Sequence, residues 1–131
     1  MIGPVVTGQE LRAILQEEYP RAYTPAIDRR YFLPSEDFAR KQLVGMTIKD
    51  YGFKPDVFDC DDFCMVLLGR VRERQFREKW AHPAAIGVAL GTLKNGQNHA
   101  TNVAVTDIET VVWLDTLGHD MEGFNPRLIW I

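Results

Sequence analysis

The hydrophobic pattern of this chain changes once, near Ile86, and that change limits the folds it can adopt. Before Ile86 the apolar residues recur at helical spacing, and after it they alternate with a period of two. Helices that come first in the chain, followed by strands, are typical of an α+β architecture with an antiparallel sheet. We therefore predict an α+β fold in which N-terminal helices and a central helix pack on a small antiparallel sheet.

The first half of the chain predicts two short helices. Thr7-Gly-Gln-Glu10 has the form of a capping box and starts a helix that ends near Tyr19-Pro20. Ser35 caps a second helix, and Gly45 is its predicted stop. Residues 21–33 hold aromatic and proline residues, which favour an irregular connector or a short extended segment.

The third and longest predicted helix begins in the acidic stretch Asp59-Cys60-Asp61-Asp62 and runs to about Lys79. Acidic side chains favour a helix N-terminus because free N–H groups and the positive end of the helix dipole lie there. Asp56 or Asp59 is the predicted N-cap. The charged residues that begin at Arg70 predict a solvated face with ion pairs between residues four apart.

The second half predicts four strands. Residues 86–90 and 100–105 are joined across Asn95-Gly96, a dipeptide typical of type I′ hairpin turns. Residues 111–115 follow as a third strand, and residues 128–131 as a strand at the edge of the sheet.

Length and composition bound the kind of protein. A chain of 131 residues predicts a single domain over residues 1–131. The hydrophobic fraction of 46% and charged fraction of 25% indicate a globular protein with no membrane span. The net charge of −3 argues against nucleic acid as a partner, and the lack of a signal-like segment favours the cytoplasm. The sequence does not predict an oligomeric state.

Cys60 is a candidate nucleophile because it lies in the first turn of the predicted central helix, where the helix dipole lowers a thiol pKa. The carboxylates of Asp59, Asp61 and Asp62 oppose that effect, since like charge disfavours a thiolate. A calcium or manganese ion held by these three aspartates would remove the conflict, so we predict a divalent-cation site there. The second cysteine, Cys64, is predicted to be a small core residue.

A second pair of chemical groups is predicted on the strands. If Asp107 is the centre of the turn, Val103 faces Val111, and His99 faces Asp115. Directly opposed residues of an antiparallel pair have Cβ atoms about 4.5–5.5 Å apart, which allows an imidazole–carboxylate hydrogen bond. A slip of one residue would place the two side chains on opposite faces of the sheet.

Together these groups predict a thiol hydrolase. Cys60 would attack, His99 would move the proton, and Asp115 would orient the imidazole. The predicted supporting residues are Gln42 and Asn98 as alternative donors to the oxyanion, Tyr51, Phe53 and Trp113 as substrate-cleft walls, and His119 as a rival base in a loop. The predicted partner is a peptide or protein substrate, with no organic cofactor.

Three motifs resemble a known family. They are Asp59-Cys60-Asp61-Asp62-Phe63, residues 98–102 (Asn-His-Ala-Thr-Asn) and residues 113–116 (Trp-Leu-Asp-Thr). Their order is similar to that of papain-like cysteine peptidases, and the motifs most resemble the C-terminal domain of the Marasmius oreades agglutinin family and its bacterial and phage homologues.

The resemblance implies a papain-like fold, a calcium- or manganese-activated cysteine protease, catalytic roles for Cys60, His99 and Asp115, and metal roles for Asp61 and Asp62. Two departures matter. The acid of the family is often Glu, so the shorter Asp115 must approach His99 more closely. The lectin domain that adjoins the family's domain is absent from this sequence, so the resemblance does not imply sugar binding.

Two alternatives to the enzyme remain open. One is a catalytically silent binding or accessory module with a papain-like fold, encoded by a phage or mobile element, because a fold does not certify an activity. The other is a metal-binding module in which Cys60 has no role.

Overall fold

The computed structural model describes residues 3–43, 54 and 59–131. In this part of the chain three helices and six strands follow one another in the order β1, α1, β2, α2, α3 and then β3 to β6. The helices are α1 (Gly8–Glu18), α2 (Glu36–Leu43) and α3 (Cys60–Arg77). The strands are β1 (Val5–Thr7), β2 (Arg30–Phe32), β3 (Ile86–Thr92), β4 (Asn98–Val105), β5 (Val111–Leu114) and β6 (Asn125–Trp130). The predicted mixed α+β class is confirmed.

The helix starts follow their predicted capping residues. Thr7 and Glu10 form a reciprocal capping box at α1, with both hydrogen bonds 3.1 Å long. The hydroxyl of Ser35 accepts a hydrogen bond from the Phe38 N–H at the start of α2. Asp59 is the N-cap of α3, and the side chain of Asp62 accepts a hydrogen bond from the Asp59 N–H. Asp56 and Gly45 lie outside the described residues.

Two antiparallel sheets form. The larger has the strand order β5-β4-β3-β6, so β6 is an edge strand as predicted. The smaller pairs β1 with β2, and the sequence did not predict β1. Close approach of β6 to β3 requires glycine at position 91, because a Cβ atom there would lie 2.2 Å from the carbonyl oxygen of Asn125.

The hairpin loop between β3 and β4 differs from its predicted turn type. Leu93 and Gln97 close the first loop, and Gly96 has a φ of 86°. A type I′ turn needs positive φ at both central residues, but Asn95 does not have it. The loop is instead a three-residue connection that ends in a left-handed residue, so the type I′ prediction was wrong.

The loop between β4 and β5 has the same form, and it corrects the predicted register. Thr106 and Thr110 close it, and Glu109 occupies the left-handed position with a φ of 58°. The centre of the turn is therefore Ile108 rather than Asp107, and Val103 lies opposite Trp113 instead of Val111. This is a shift of two residues, which keeps His99 and Asp115 on one face and makes them diagonal neighbours.

Two clusters of buried side chains cover the two faces of the larger sheet. The first core cluster lies between the sheet and the helices α2 and α3, and it includes Leu43, Phe63, Leu67, Val71, Ile86, Val88, Ala100, Ala104 and Leu114. The second core cluster lies against α1 and the smaller sheet, and it includes Leu11, Leu15, Tyr31, Leu33, Val103, Val105, Phe124 and Ile129.

The charged second half of α3 is only partly a solvated face. Arg77 pairs with Glu73 on the surface, as predicted for residues four apart. Arg72, however, turns inward and donates hydrogen bonds to the carbonyl oxygens of Ala84 and Ile86, 3.0 and 3.3 Å away. Burial lowers the pKa of this guanidinium. Arg72 therefore joins α3 to the start of β3.

Candidate functional site

His99 and Asp115 meet at the ends of β4 and β5. The Nε2 atom of His99 lies 2.9 Å from Oδ1 of Asp115, and the two side chains are only 3% and 5% exposed. The short aspartate therefore does reach the imidazole. The predicted hydrogen bond is present although the predicted register was not, because a two-residue shift preserves the face.

His119 belongs to the same group. Its backbone N–H donates to Oδ2 of Asp115 over 2.7 Å, and its Nδ1 atom lies 3.3 Å from that oxygen. The His99 and His119 ring centroids are 4.2 Å apart. The sequence predicts His119 to be a loop residue with little to orient it. In the structure, its contacts with the Asp115 carboxylate orient it.

Cys60 is the first residue of α3 and is half-buried against the first core cluster. Side chains alternate between the two faces of the sheet along β4, so His99 lies on the same face as Val103 of the second core cluster. Ala100 lies on the opposite face, in the first core cluster. In the described part of the chain, the His99 ring contacts Asp115, His119 and Phe124, and no hydrogen bond joins it to Cys60.

Cys64 is buried one turn further along α3, as predicted. Burial, followed by the nearby charges of Cys60, Asp115 and Asp61, raises the pKa of its thiol far above the usual range. Its carbonyl oxygen accepts a hydrogen bond from the buried amide of Asn102 on β4, 3.1 Å away. Cys64 therefore belongs to the contact between the helix and the sheet.

The carboxylates of Asp59, Asp61 and Asp62 lie together at the start of α3, with ligand oxygens within 4.8 Å of one another. Asp62 also takes part in the capping box, so one of its oxygens already serves the helix end. Oxygen ligands at this spacing suit a hard divalent cation.

The other predicted site residues are dispersed. Asn98 is exposed, and its side-chain oxygen accepts a hydrogen bond from Arg127. Trp113 packs against Tyr19 and Phe124, with ring centroids 5.4 and 4.9 Å away. Gln42 is buried in α2 and faces Arg74. Tyr51 and Phe53 lie outside the described residues.

A cleft that the sequence did not predict lies where α3 ends. It has a volume of about 600 Å³, and we call it the Trp80 cleft; it is lined by Phe38, Gln42, Arg74, Glu78, Lys79, Trp80 and Ala81. The rings of Phe38 and Trp80 are 5.6 Å apart, and the Trp80 indole N–H donates to Glu78 over 2.9 Å. Arg74 donates to Gln42 across the cleft, over 3.4 Å.

The end of α3 explains the position of Trp80. The N–H of Lys79 bonds to the carbonyl oxygen of Phe76, and the N–H of Trp80 bonds to that of Gln75. With Lys79 at a φ of 57°, this is a Schellman motif. It reverses the chain and brings Trp80 back against Phe38. Sequence reasoning saw only a helix stop here, because the left-handed residue is a lysine instead of a glycine.

Comparisons with known proteins identify the family. The family model described as "Agglutinin C-terminal" matches residues 31–119, so the chain belongs to the agglutinin C-terminal family. The recognised resemblance is confirmed to that extent. No curated protein sequence matches the chain.

Two solved structures share the fold. One is described as "PSL1a-E64 complex", with a TM-score of 0.74 and 20% identity; it is matched over 97% of this chain and 51% of that chain. The other is Polyporus squamosus lectin bound to the human-type influenza-binding epitope Neu5Aca2-6Galb1-4GlcNAc, with a TM-score of 0.75 and 19% identity, matched over 97% and 49%. The chain thus spans about half the length of these structures.

These findings overturn the predicted enzyme. The matching family is described as an agglutinin domain and not as a peptidase, which favours the alternative of a binding module. The predictions of a cysteine peptidase, of hydrolase or thiol-protease activity, and of a peptide or protein substrate are therefore wrong. Over the described residues, none of the helices is long and apolar enough to cross a membrane.

Proposed function

We propose that this chain is a binding module of the agglutinin type and that its ligand is a carbohydrate. Membership of the agglutinin C-terminal family carries the proposal, and the fold shared with a glycan-bound lectin supports it. This reverses the expectation that sugar binding should not be inferred.

The Trp80 cleft is the proposed carbohydrate site. A volume of about 600 Å³ lies in the range of small-molecule sites, and the lining combines aromatic and polar side chains. The half-buried rings of Phe38 and Trp80 offer apolar surface to the C–H face of a sugar, while the amide of Gln42 can donate to or accept from hydroxyl groups.

Charge in the cleft favours an acidic sugar. Arg74 has five N–H donors, and its 3.4 Å bonds to Gln42 are long, so a ligand carboxylate is a better partner for it. The negative Glu78 is held by the indole N–H of Trp80. We therefore propose a sialylated glycan as the preferred ligand.

Calorimetry with Neu5Aca2-6Galb1-4GlcNAc and with Galb1-4GlcNAc tests this function. We expect the sialylated glycan to bind more tightly. Arg74→Gln should weaken it by roughly tenfold to a hundredfold, the cost of a lost charged hydrogen bond, and leave the neutral glycan unchanged. Trp80→Phe should weaken the binding of both glycans, because the smaller ring offers less apolar surface to a sugar and Glu78 loses the indole N–H that holds it.

Phe76→Ala is the matched control, since Phe76 is 84% exposed on the same helix and outside the cleft lining. It should bind both glycans like the unaltered chain. Absence of binding by either glycan would refute the carbohydrate function. Binding that neither Arg74→Gln nor Trp80→Phe changes would refute the cleft as its site.

Two finer features belong to this proposal. The order of Cys60 on a helix, then His99 and Asp115 on successive strands, supports a papain-like arrangement of the fold, without its chemistry. The grouping of Asp59, Asp61 and Asp62 supports a calcium or manganese site. Calorimetric titration with calcium tests it, because a site that binds calcium should give a heat of binding.

A further inference from the structure

Three side chains that commonly bind metal ions converge where β4 begins and β5 ends. His99, Asp115 and His119 each offer one ligand atom, and these atoms lie within 4.8 Å of one another. Asp115 is the centre of the group, because each of its two oxygens faces one of the two imidazoles. The group is separate from the acidic cluster at the start of α3.

The backbone fixes this arrangement. The chain turns back after β5, and Gly118 takes a φ of 80°, which a residue with a side chain rarely adopts. The His119 N–H then donates to Asp115 over 2.7 Å, which returns the His119 ring to the aspartate it follows by four residues. His99 is held in place by strand β4, and His119 is held in place by its backbone hydrogen bond to Asp115.

The separations match those of atoms that share one small ion. With bonds of about 2.0–2.2 Å, two ligand atoms on one zinc ion are roughly 2.9 Å apart at a right angle and roughly 3.4 Å apart at a tetrahedral angle. The observed N···O separations are 2.9 Å from His99 to Oδ1 of Asp115 and 3.3 Å from His119 to Oδ2 of the same carboxylate. Each imidazole nitrogen is therefore at a ligand–ligand distance from one carboxylate oxygen, and one ligand atom from each of the three residues lies within 4.8 Å of the other two.

We propose that His99, Asp115 and His119 bind a divalent transition-metal ion, with Zn²⁺ preferred to Ca²⁺. Two imidazole nitrogens and one carboxylate oxygen suit zinc, whereas calcium prefers an all-oxygen set. His99 and Asp115 are almost fully buried, and His119 is 36% exposed at the rim. The group therefore meets solvent on the side of His119.

Calorimetric titration of the full chain with ZnCl₂ and with CaCl₂ tests the site. We expect one zinc ion per chain, and at least roughly tenfold weaker binding in His119→Gln, because a ligand is lost while the buried pair is kept. His82→Gln is the matched control. His82 is the one histidine of the sequence that lies outside the cluster, so its removal should leave zinc binding unchanged. Equal zinc affinity in His119→Gln, or no zinc binding, would overturn the proposal.

Cys60 supplies the competing ligand, since a thiolate also binds zinc. Cys60→Ser should keep the zinc affinity, and Co²⁺ in the unaltered chain should give a spectrum without a thiolate charge-transfer band. Loss of affinity in Cys60→Ser, or a thiolate band, would assign the ion to the start of α3 and refute this site. Neither measurement depends on glycan binding, so the test of the zinc site is independent of the proposed function.

Discussion

At the scale of single residues, side chains of one chemical type behave differently because their surroundings differ. Cys60 and Cys64 are one helical turn apart, yet Cys60 is half-buried at the helix start and Cys64 is 3% exposed. Burial also holds the Cys64 thiol in its neutral form by raising its pKa. Reactivity should therefore separate two residues that the sequence presents as a pair.

We predict that iodoacetamide labels Cys60 and not Cys64 in the folded protein. At mildly alkaline pH the thiolate is the reacting species, and Cys64 is both inaccessible and protonated. Mass spectrometry should show one added group on the native chain and two after denaturation. Cys60→Ser should leave the native chain unlabelled, and labelling of Cys64 in that variant would contradict the burial described here.

His99, Asp115 and His119 show the reverse effect, in which distant residues become one group. Sequence reasoning paired His99 with Asp115 correctly but through a register that was wrong by two residues. It set His119 aside because nothing local orients a loop histidine. The orienting hydrogen bond comes from Asp115, which only the folded turn brings within reach.

At the scale of elements, the two hairpin loops of the larger sheet use the same backbone form with different residues. Each has three residues, and the last of them is left-handed: Gly96 in one loop and Glu109 in the other. Glycine adopts this conformation freely, whereas a side chain costs about 1–2 kcal/mol there. The β4–β5 loop therefore carries strain that the β3–β4 loop does not.

We predict that Glu109→Gly stabilises the protein by about 1 kcal/mol, because it removes that conformational cost. Gly96→Ala should destabilise it by a similar amount. A Cβ atom on Gly96 would meet nothing within 4 Å, so the backbone alone decides this control. Urea unfolding monitored by circular dichroism measures both. A lower stability for Glu109→Gly would show that its side chain makes a contact worth more than the strain.

At the scale of the whole molecule, one sheet is shared by two cores. The first core cluster packs α2 and α3 on one face, and the second packs α1 and the smaller sheet on the other. Because the same strands form both faces of the sheet, loss of packing in one core cluster exposes the strands that also support the other core cluster. The single domain expected for residues 1–131 stays a prediction that this arrangement favours.

We predict that Leu67→Ala in the first core cluster and Ile129→Ala in the second each cost about 2–5 kcal/mol, as buried large-to-small changes do. Both should lower the midpoint of one cooperative transition, with equal calorimetric and van't Hoff enthalpies. Met65→Ala, 43% exposed on α3, is the control and should change stability by about 0.5 kcal/mol or less. Two separate transitions in either core variant would contradict a single domain.

The sequence by itself determined the features that depend on neighbours along the chain. The caps at Thr7 and Ser35, the switch of period at Ile86 and the edge strand β6 all follow from local hydrogen bonding and side-chain alternation. For the central helix the sequence left Asp56 and Asp59 as alternative caps. The family motif around Cys60 also lies in one stretch, and it predicted the right family but a peptidase activity that the agglutinin family does not support.

Tertiary structure alone decided the features that join distant residues. The strand register depended on which residue lies at the centre of a turn, and the Trp80 cleft depended on a lysine in a left-handed conformation. The inward direction of Arg72 depended on the carbonyl oxygens of Ala84 and Ile86, which accept its hydrogen bonds. Each of these is set by the balance of packing and hydrogen bonding among separate elements. The pattern of residues along the chain does not contain that balance, so these features could be identified only from the folded structure.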